Sequence, residues 1–251
     1  MTVVLTYHEL SADESPLCVS PELFSEHLDV ISQARVDVVT PRELTEALRQ
    51  GHVPARAVVV TFDDALAAAV SEARPRLAAA GIRAAFYCVA GHLGGRSDWP
   101  SRKADSPVRP LASAEDLLAL ADEGHEIGSH GWSHAPLDGR ADLQREIVES
   151  QTVLAAATGA DVRTFAYPYG ASPSAAALTL VEQTYDGAFG TSVGRVGRDS
   201  KRWSLARVDA RYLRDPRLLR RVVTGSLDAY LVSRRIGSRA RRALRKDYVP
   251  V

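Results

Sequence analysis

The chain has few of the groups that would tie it down covalently or anchor it in a bilayer. Only two of its 251 residues are cysteines, Cys18 and Cys88, far apart and without a CxxC spacing. A disulfide framework is excluded, and a cysteine-based zinc site is disfavoured. No run approaches the ~18 apolar residues that a membrane-spanning helix needs. The first ten residues, MTVVLTYHEL, lack the basic and long apolar regions of a secretory signal, which predicts a cytoplasmic enzyme. Net charge is also lacking: 31 Lys and Arg balance 31 Asp and Glu. The chain as a whole therefore offers no electrostatic case for binding nucleic acid. There is no internal repeat, no low-complexity tract, and no histidine after His134.

What is present is the composition of an average soluble domain, 45% hydrophobic and 25% charged. The length admits one large α/β barrel or two small domains. Short β-branched apolar runs recur at 3–7, 36–39, 57–61, 84–89, 126–129, 164–167, 187–190 and 206–209. They are too continuously apolar for half-exposed antiparallel strands, which suits parallel strands buried on both faces. Helical patterns lie between them, with start signals at Ser20-Pro21, Thr40-Pro41 and Ser113 and stop signals at Gly124 and Gly159. The alternation predicts one α/β barrel-like domain. Residues 91–110, rich in Gly, Ser and Pro, read as a long loop of the kind that shapes a binding site.

Two segments carry chemistry. In AVVVTFDDA a buried strand runs straight into Asp63 and Asp64, at the end where α/β folds collect catalytic residues. Neighbouring residues on extended backbone point oppositely, so the two carboxylates can do two jobs; a solvated strand end with a helix cap is the plainer alternative. In HEIGSHGWSHAPL, His130 and His134 are four apart, which on a helical turn puts both imidazoles on one face, able to bind one ion. Two surface histidines would be the plainer reading of either alone. Two histidines and a carboxylate leave open positions on a metal for water and a substrate oxygen. His27 and His125 lack such partners and read as structural.

TFDDA, His130-x-x-x-His134 and FAYPYG, in that order, resemble the polysaccharide deacetylases of the NodB-homology group, carbohydrate esterase family 4. The resemblance implies a distorted (β/α)-barrel of seven parallel strands over residues 1–213. It makes Asp63 the catalytic base and assigns the metal to Asp64, His130 and His134, with Zn²⁺ first and Co²⁺ or Ni²⁺ as alternatives. It also assigns Pro168 and Tyr169 to a motif in which the Tyr backbone N–H stabilises the oxyanion. Tyr167, Pro168 and Trp132 are expected to contact an N-acetylated sugar.

The departures from the family pattern are informative. Ala65 stands where the first motif usually has Gly, Gly131 where the second has Ser or Thr, and Ala166 where the third often has Arg. The motif that orients the base has no clear counterpart, and Arg207 is taken as its substitute. The Leu-x-His that supplies the general acid in many members is missing. His8, in LTYHEL, resembles the Tyr-His of a circularly permuted subgroup that includes poly-N-acetylglucosamine deacetylases, and is expected to protonate the leaving nitrogen. A buried histidine at a strand end is the alternative.

Beyond this region, residues 214–251 form a basic extension, with eleven Lys and Arg against two Asp between Arg214 and Lys246. Apolar spacing over 217–231 predicts an amphipathic helix packed on the barrel. The Arg-rich remainder could meet an anionic membrane surface or a phosphate-bearing substrate. Two other functions use the same site: deformylation of an N-formyl sugar, and carbohydrate binding without catalysis. The sequence does not fix the oligomeric state.

Overall fold

Strand runs that are apolar on both faces need covering on both, and the chain supplies that cover by winding helices around them. The computed structural model describes residues 2–226 except 14, 16 and 105, together with 230–234 and 236. Eight strands form one sheet in which every pairing is parallel: β1 (Thr2–Tyr7), β2 (Asp37–Val38), β3 (Ala57–Phe62), β4 (Ala85–Cys88), β5 (Glu126–Ser129), β6 (Thr164–Ala166), β7 (Gly187–Phe189) and β8 (Val208–Asp209). Seven follow one path, β8-β1-β3-β4-β5-β6-β7, and short β2 pairs beside the start of β3. The first strand thus lies next to the last, with Leu5 opposite Val208. Between β7 and β8 the sheet curls through a lone parallel bridge, Phe189 to Leu205. This is the distorted barrel that the resemblance implied.

Alternation along the strands sorts the core into two layers. Val3, Leu5 and Tyr7, with Val58, Val60 and Phe62, pack outward against the helices. Val4, Val59, Ala85, Tyr87, Ala166 and Phe189 form a second, smaller cluster, closed by Leu44. Thr6 and His8, and Thr61 and Asp63, continue the parity of Val4 and Val59. The period of two therefore carries His8 and Asp63 to the mouth of the inner layer, at the C-terminal strand ends.

The helices are α1 (Pro21–Gln33), α2 (Pro41–Arg49), α3 (Ala67–Ala80), α4 (Ala114–Asp122), α5 (Ser150–Thr158), α6 (Ala175–Thr184) and α7 (Pro216–Val223). Thr40 and Ser113 close capping boxes with Glu43 and Asp116, and Ser20 caps α1, as the start signals required. Two segments differ from expectation. The helical stretch ending at Gly159 begins as a π-helix over Gln144–Glu149 before becoming α5. The amphipathic pattern over 217–231 is not one helix: α7 stops at Val223, and Gly225 turns the chain at φ 88°. Leu219, Val222, Val223 and Leu231 are nevertheless all buried, so the pattern marked a packed face rather than a continuous helix. The Arg-rich tail from 237 onward lies outside the described residues. No helix among those described is long and apolar enough to cross a membrane.

Candidate active site and metal centre

β3 delivers the two carboxylates. The N–H of Asp63 still donates to the carbonyl of Tyr7 at 2.9 Å, so Asp63 keeps the strand path. Asp64 leaves it at φ 68°, and Ala65 follows at φ 52°. Asp tolerates this left-handed region through its short polar side chain, whereas Ala pays about 1–2 kcal/mol for it. That cost explains why Gly is the usual residue at position 65 of this motif. The turn swings the Asp64 carboxylate toward the loop after β5.

That loop holds His130 and His134, and it is not helical. Gly131 at φ 88° and His134 at φ 56° fold residues 130–134 back on themselves, so the spacing of four works through a loop rather than a helical face. A buried carboxylate supports the fold. Glu146, inside the π-helix, accepts from the N–H of Trp132 at 2.8 Å, from the N–H of Ser133 and from the Ser133 hydroxyl at 2.5 Å. A Cβ at position 131 would stand 2.8 Å from the Glu146 Oε2. Gly131 is thus required by conformation and by space, which accounts for the absence of the family's Ser or Thr there.

Asp64, His130 and His134 converge with one ligand atom each, all within 4.8 Å of one another. Asp64 Oδ1 lies 3.2 Å from His134 Nε2 and 3.5 Å from His130 Nε2. His130 donates its Nδ1 proton to the carbonyl of Ala166 at 2.7 Å, which leaves an Nε2 lone pair facing the carboxylate. Burial lowers the pKa of His130 to about 4 and keeps it neutral. Asp64 Oδ1 is itself buried with no hydrogen bond. The His130 lone pair facing the Asp64 carboxylate, with His134 Nε2 beside both, suits a cation. Tetrahedral ligand atoms about 2.0–2.1 Å from an ion stand about 3.3 Å apart, and this spacing fits.

Asp63 is buried beside this cluster and held by Arg207, whose two terminal nitrogens reach its two oxygens at 2.6 and 2.7 Å. The guanidinium is anchored in turn by its Nε donating to the carbonyl of Gly190 at 2.9 Å. Burial alone would raise the Asp63 pKa, but Arg207, with His130 and His8, brings it below the usual carboxylate range. His8 Nε2 stands 3.9 Å from Asp63 Oδ2, and its Nδ1 is buried without a hydrogen-bond partner. His8, Asp63 and Arg207 therefore occupy one mouth with the three candidate ligands.

A cavity of about 380 Å³ opens there, lined by His8, both carboxylates, both histidines, Tyr167, Tyr169 and Arg207, and roofed by the long loop. Two loop residues that sequence reasoning did not single out pin it down. Trp99 stacks on His134 with ring centroids 4.3 Å apart, and Ser101 donates to the His134 carbonyl at 2.8 Å while accepting from the Tyr169 hydroxyl at 3.0 Å. A tryptophan inside a polar, Gly- and Ser-rich loop was the available signal. Tyr169 turns the backbone at φ 56°, and Tyr167 donates its hydroxyl to the carbonyl of Trp203 at 3.1 Å. Two expected substrate contacts are not brought to the cavity. Pro168 is buried beneath the histidine loop, and Trp132 lies under the Arg145 guanidinium, 4.6 Å from its ring centroid.

A family model described as polysaccharide deacetylase matches residues 50–187, over half of the chain. The chain belongs to the polysaccharide deacetylase family. YxkH of Bacillus subtilis (strain 168), which carries the family's name, is 24% identical over 208 residues, covering 82% of this chain and 70% of that protein. Among solved structures, IcaB from Ammonifex degensii superposes with a TM-score of 0.69 at 23% identity, covering 90% of this chain and 96% of that one. A Bacillus anthracis structure named for polysaccharide deacetylases gives a TM-score of 0.69 at 20% identity, covering 83% of this chain. This chain spans only 64% of that structure. At such identities the structural likeness establishes the fold, a curled parallel barrel of the NodB type.

Proposed function

We propose that the chain is a metal-dependent hydrolase that removes the N-acetyl group from an amino sugar. The observation that carries this reading is the convergence of three metal-seeking lone pairs beside an ionised carboxylate in one cavity. Asp64, His130 and His134 would hold a divalent ion, Zn²⁺ first and Co²⁺ or Ni²⁺ by the same donor set. Such an ion supplies Lewis-acid chemistry, polarising the amide carbonyl and acidifying water.

The remaining work falls to the chain's own groups. Asp63, kept ionised by Arg207, takes a proton from the attacking water at its carboxylate. The Tyr169 backbone N–H donates to the carbonyl oxygen as it gains negative charge, an effect worth about 3–4 kcal/mol in a preorganised site. His8, on the same mouth, delivers a proton to the departing nitrogen. The catalytic unit is residues 1–213, with 214–251 a basic extension packed on it through α7, whose Arg-rich sequence suits an anionic surface or a phosphate-bearing substrate.

Asp63→Asn should abolish turnover of N-acetylglucosamine oligomers while the protein retains bound Zn²⁺ by mass spectrometry, and Asp64→Asn should lose both. Metal loss in the first variant, or full metal in the second, would show the two roles to be wrongly assigned. A His8→Ala variant with parental turnover would remove His8 from the mechanism. Faster turnover of N-formyl than N-acetyl substrates would make the enzyme a deformylase, and a parent chain without affinity for Zn²⁺ would make it a binding module.

A further inference from the structure

The cavity is lined by more cations than the chemistry uses. Arg207 is engaged by Asp63, Arg211 has Asp209 at 3.4 Å, and Arg109 reaches Glu9 at 3.2 Å and also Asp13. Arg102 and Lys103, on the long loop, line the same cavity and pair with no carboxylate among the described residues. Arg102 is nonetheless built in place. Its Nη1 donates to the carbonyl oxygens of Lys103 at 2.8 Å, Ala104 at 3.4 Å and Ser106. The loop thereby folds around one corner of the guanidinium. Nε and Nη2 make no hydrogen bond to a described residue, and neither is buried.

An arginine fixed through one nitrogen presents the other two as a planar fork, the geometry that meets a carboxylate or phosphate through two parallel bonds. Lys103 adds a point charge beside it. Such a fork, oriented by backbone and without a counter-ion among the described residues, matches a ligand oxyanion rather than a neutral hydroxyl. A neutral sugar would leave it unmatched while drawing only ordinary hydrogen bonds from it.

We infer that Arg102 and Lys103 form an oxyanion subsite on the cavity wall, and that the amino sugar bears a phosphate or a carboxylate. This rests on the deacetylase reading for the reaction but not for the binding. The test compares kcat/KM of the Zn²⁺-loaded protein on N-acetylglucosamine 1-phosphate, N-acetylmuramic acid and N-acetylglucosamine. At least one anionic substrate should be preferred by about tenfold or more, the scale of a charge-assisted pair, and the preferred one identifies the oxyanion. Lys103→Glu, which disturbs no hydrogen bond of the loop, should erase that preference. Arg102→Lys, which keeps the charge and loses the fork, should reduce it. Equal kcat/KM for charged and neutral sugars, or a preference untouched by both variants, overturns the subsite.

If none of the three is hydrolysed, the oligomer assay above decides the deacetylase reading and calorimetric binding of the same compounds decides the subsite separately. Tighter binding of a charged sugar that Lys103→Glu weakens about tenfold supports it. Equal or absent binding overturns it.

Discussion

Arg207 grips Asp63 across 144 residues of sequence, and in the proposed mechanism that grip sets the acid limit of the reaction. As the proposed base, Asp63 works only when ionised, and Arg207 offsets the upward push of burial so that ionisation persists below the ordinary carboxylate range. Arg207→Lys keeps a charge but loses the two-pronged contact, so the Asp63 pKa should rise. Activity should then fail at a higher pH as the solution is acidified, and a kcat/KM–pH profile reads the displacement directly. An unchanged acid limb would mean that another group sets it. The same pair bears on stability. A depressed carboxylate pKa stabilises the fold above the unfolded value, and that stabilisation is lost as pH falls through the folded one.

At the level of elements, the histidine loop depends on one glycine and one buried carboxylate. Gly131→Ala combines a left-handed backbone cost with a Cβ that meets Glu146 Oε2 at 2.8 Å. The variant should lose about 1–3 kcal/mol in urea unfolding and bind Zn²⁺ more weakly than the parent, because the same backbone positions both imidazoles. Parental values in both would show that the loop gives way freely. The contrast with the strands shows what the sequence makes legible. β1 and β3 are buried at every position and carry apolar runs at 3–5 and 58–60 because both faces are covered, and Thr40 and Ser113 announce α2 and α4 through capping pairs three residues apart. These signals are local. The histidine loop depends on a contact from elsewhere, Glu146 beneath Gly131, that no periodicity records, and α7 ends just before Gly225, which the apolar spacing over 217–231 runs past.

For the whole molecule, the candidate site joins β1, β3, the loop after β5, the turn after β6 and the segment before β8. Its candidate ligand and base residues were legible because each sits in a compact motif at a strand end. Arg207 was reachable only as a substitute for a missing motif, and Trp99 and Ser101 were hidden in a loop whose contacts to His134 and Tyr169 are long-range. A site spread over so many elements couples ion binding to global stability. Free metal at a hundredfold its dissociation constant stabilises the native state by about 2.7 kcal/mol, or roughly 5–10 °C in a domain of this size. Chelation should lower the melting temperature by that amount and Zn²⁺ should restore it. His134→Ala should show a much smaller response, and an equal one would place the ion elsewhere.

Pairing of β1 with β8 also governs when the enzyme can come into being. A ribosome releases His8 and Asp63 well before Arg207, which follows Asp63 by 144 residues. Until then the buried Asp63 has no counter-charge and β1 has a neighbour on one side only. Joining the proposed base to its counter-charge thus waits until the β8 segment has emerged and paired with β1.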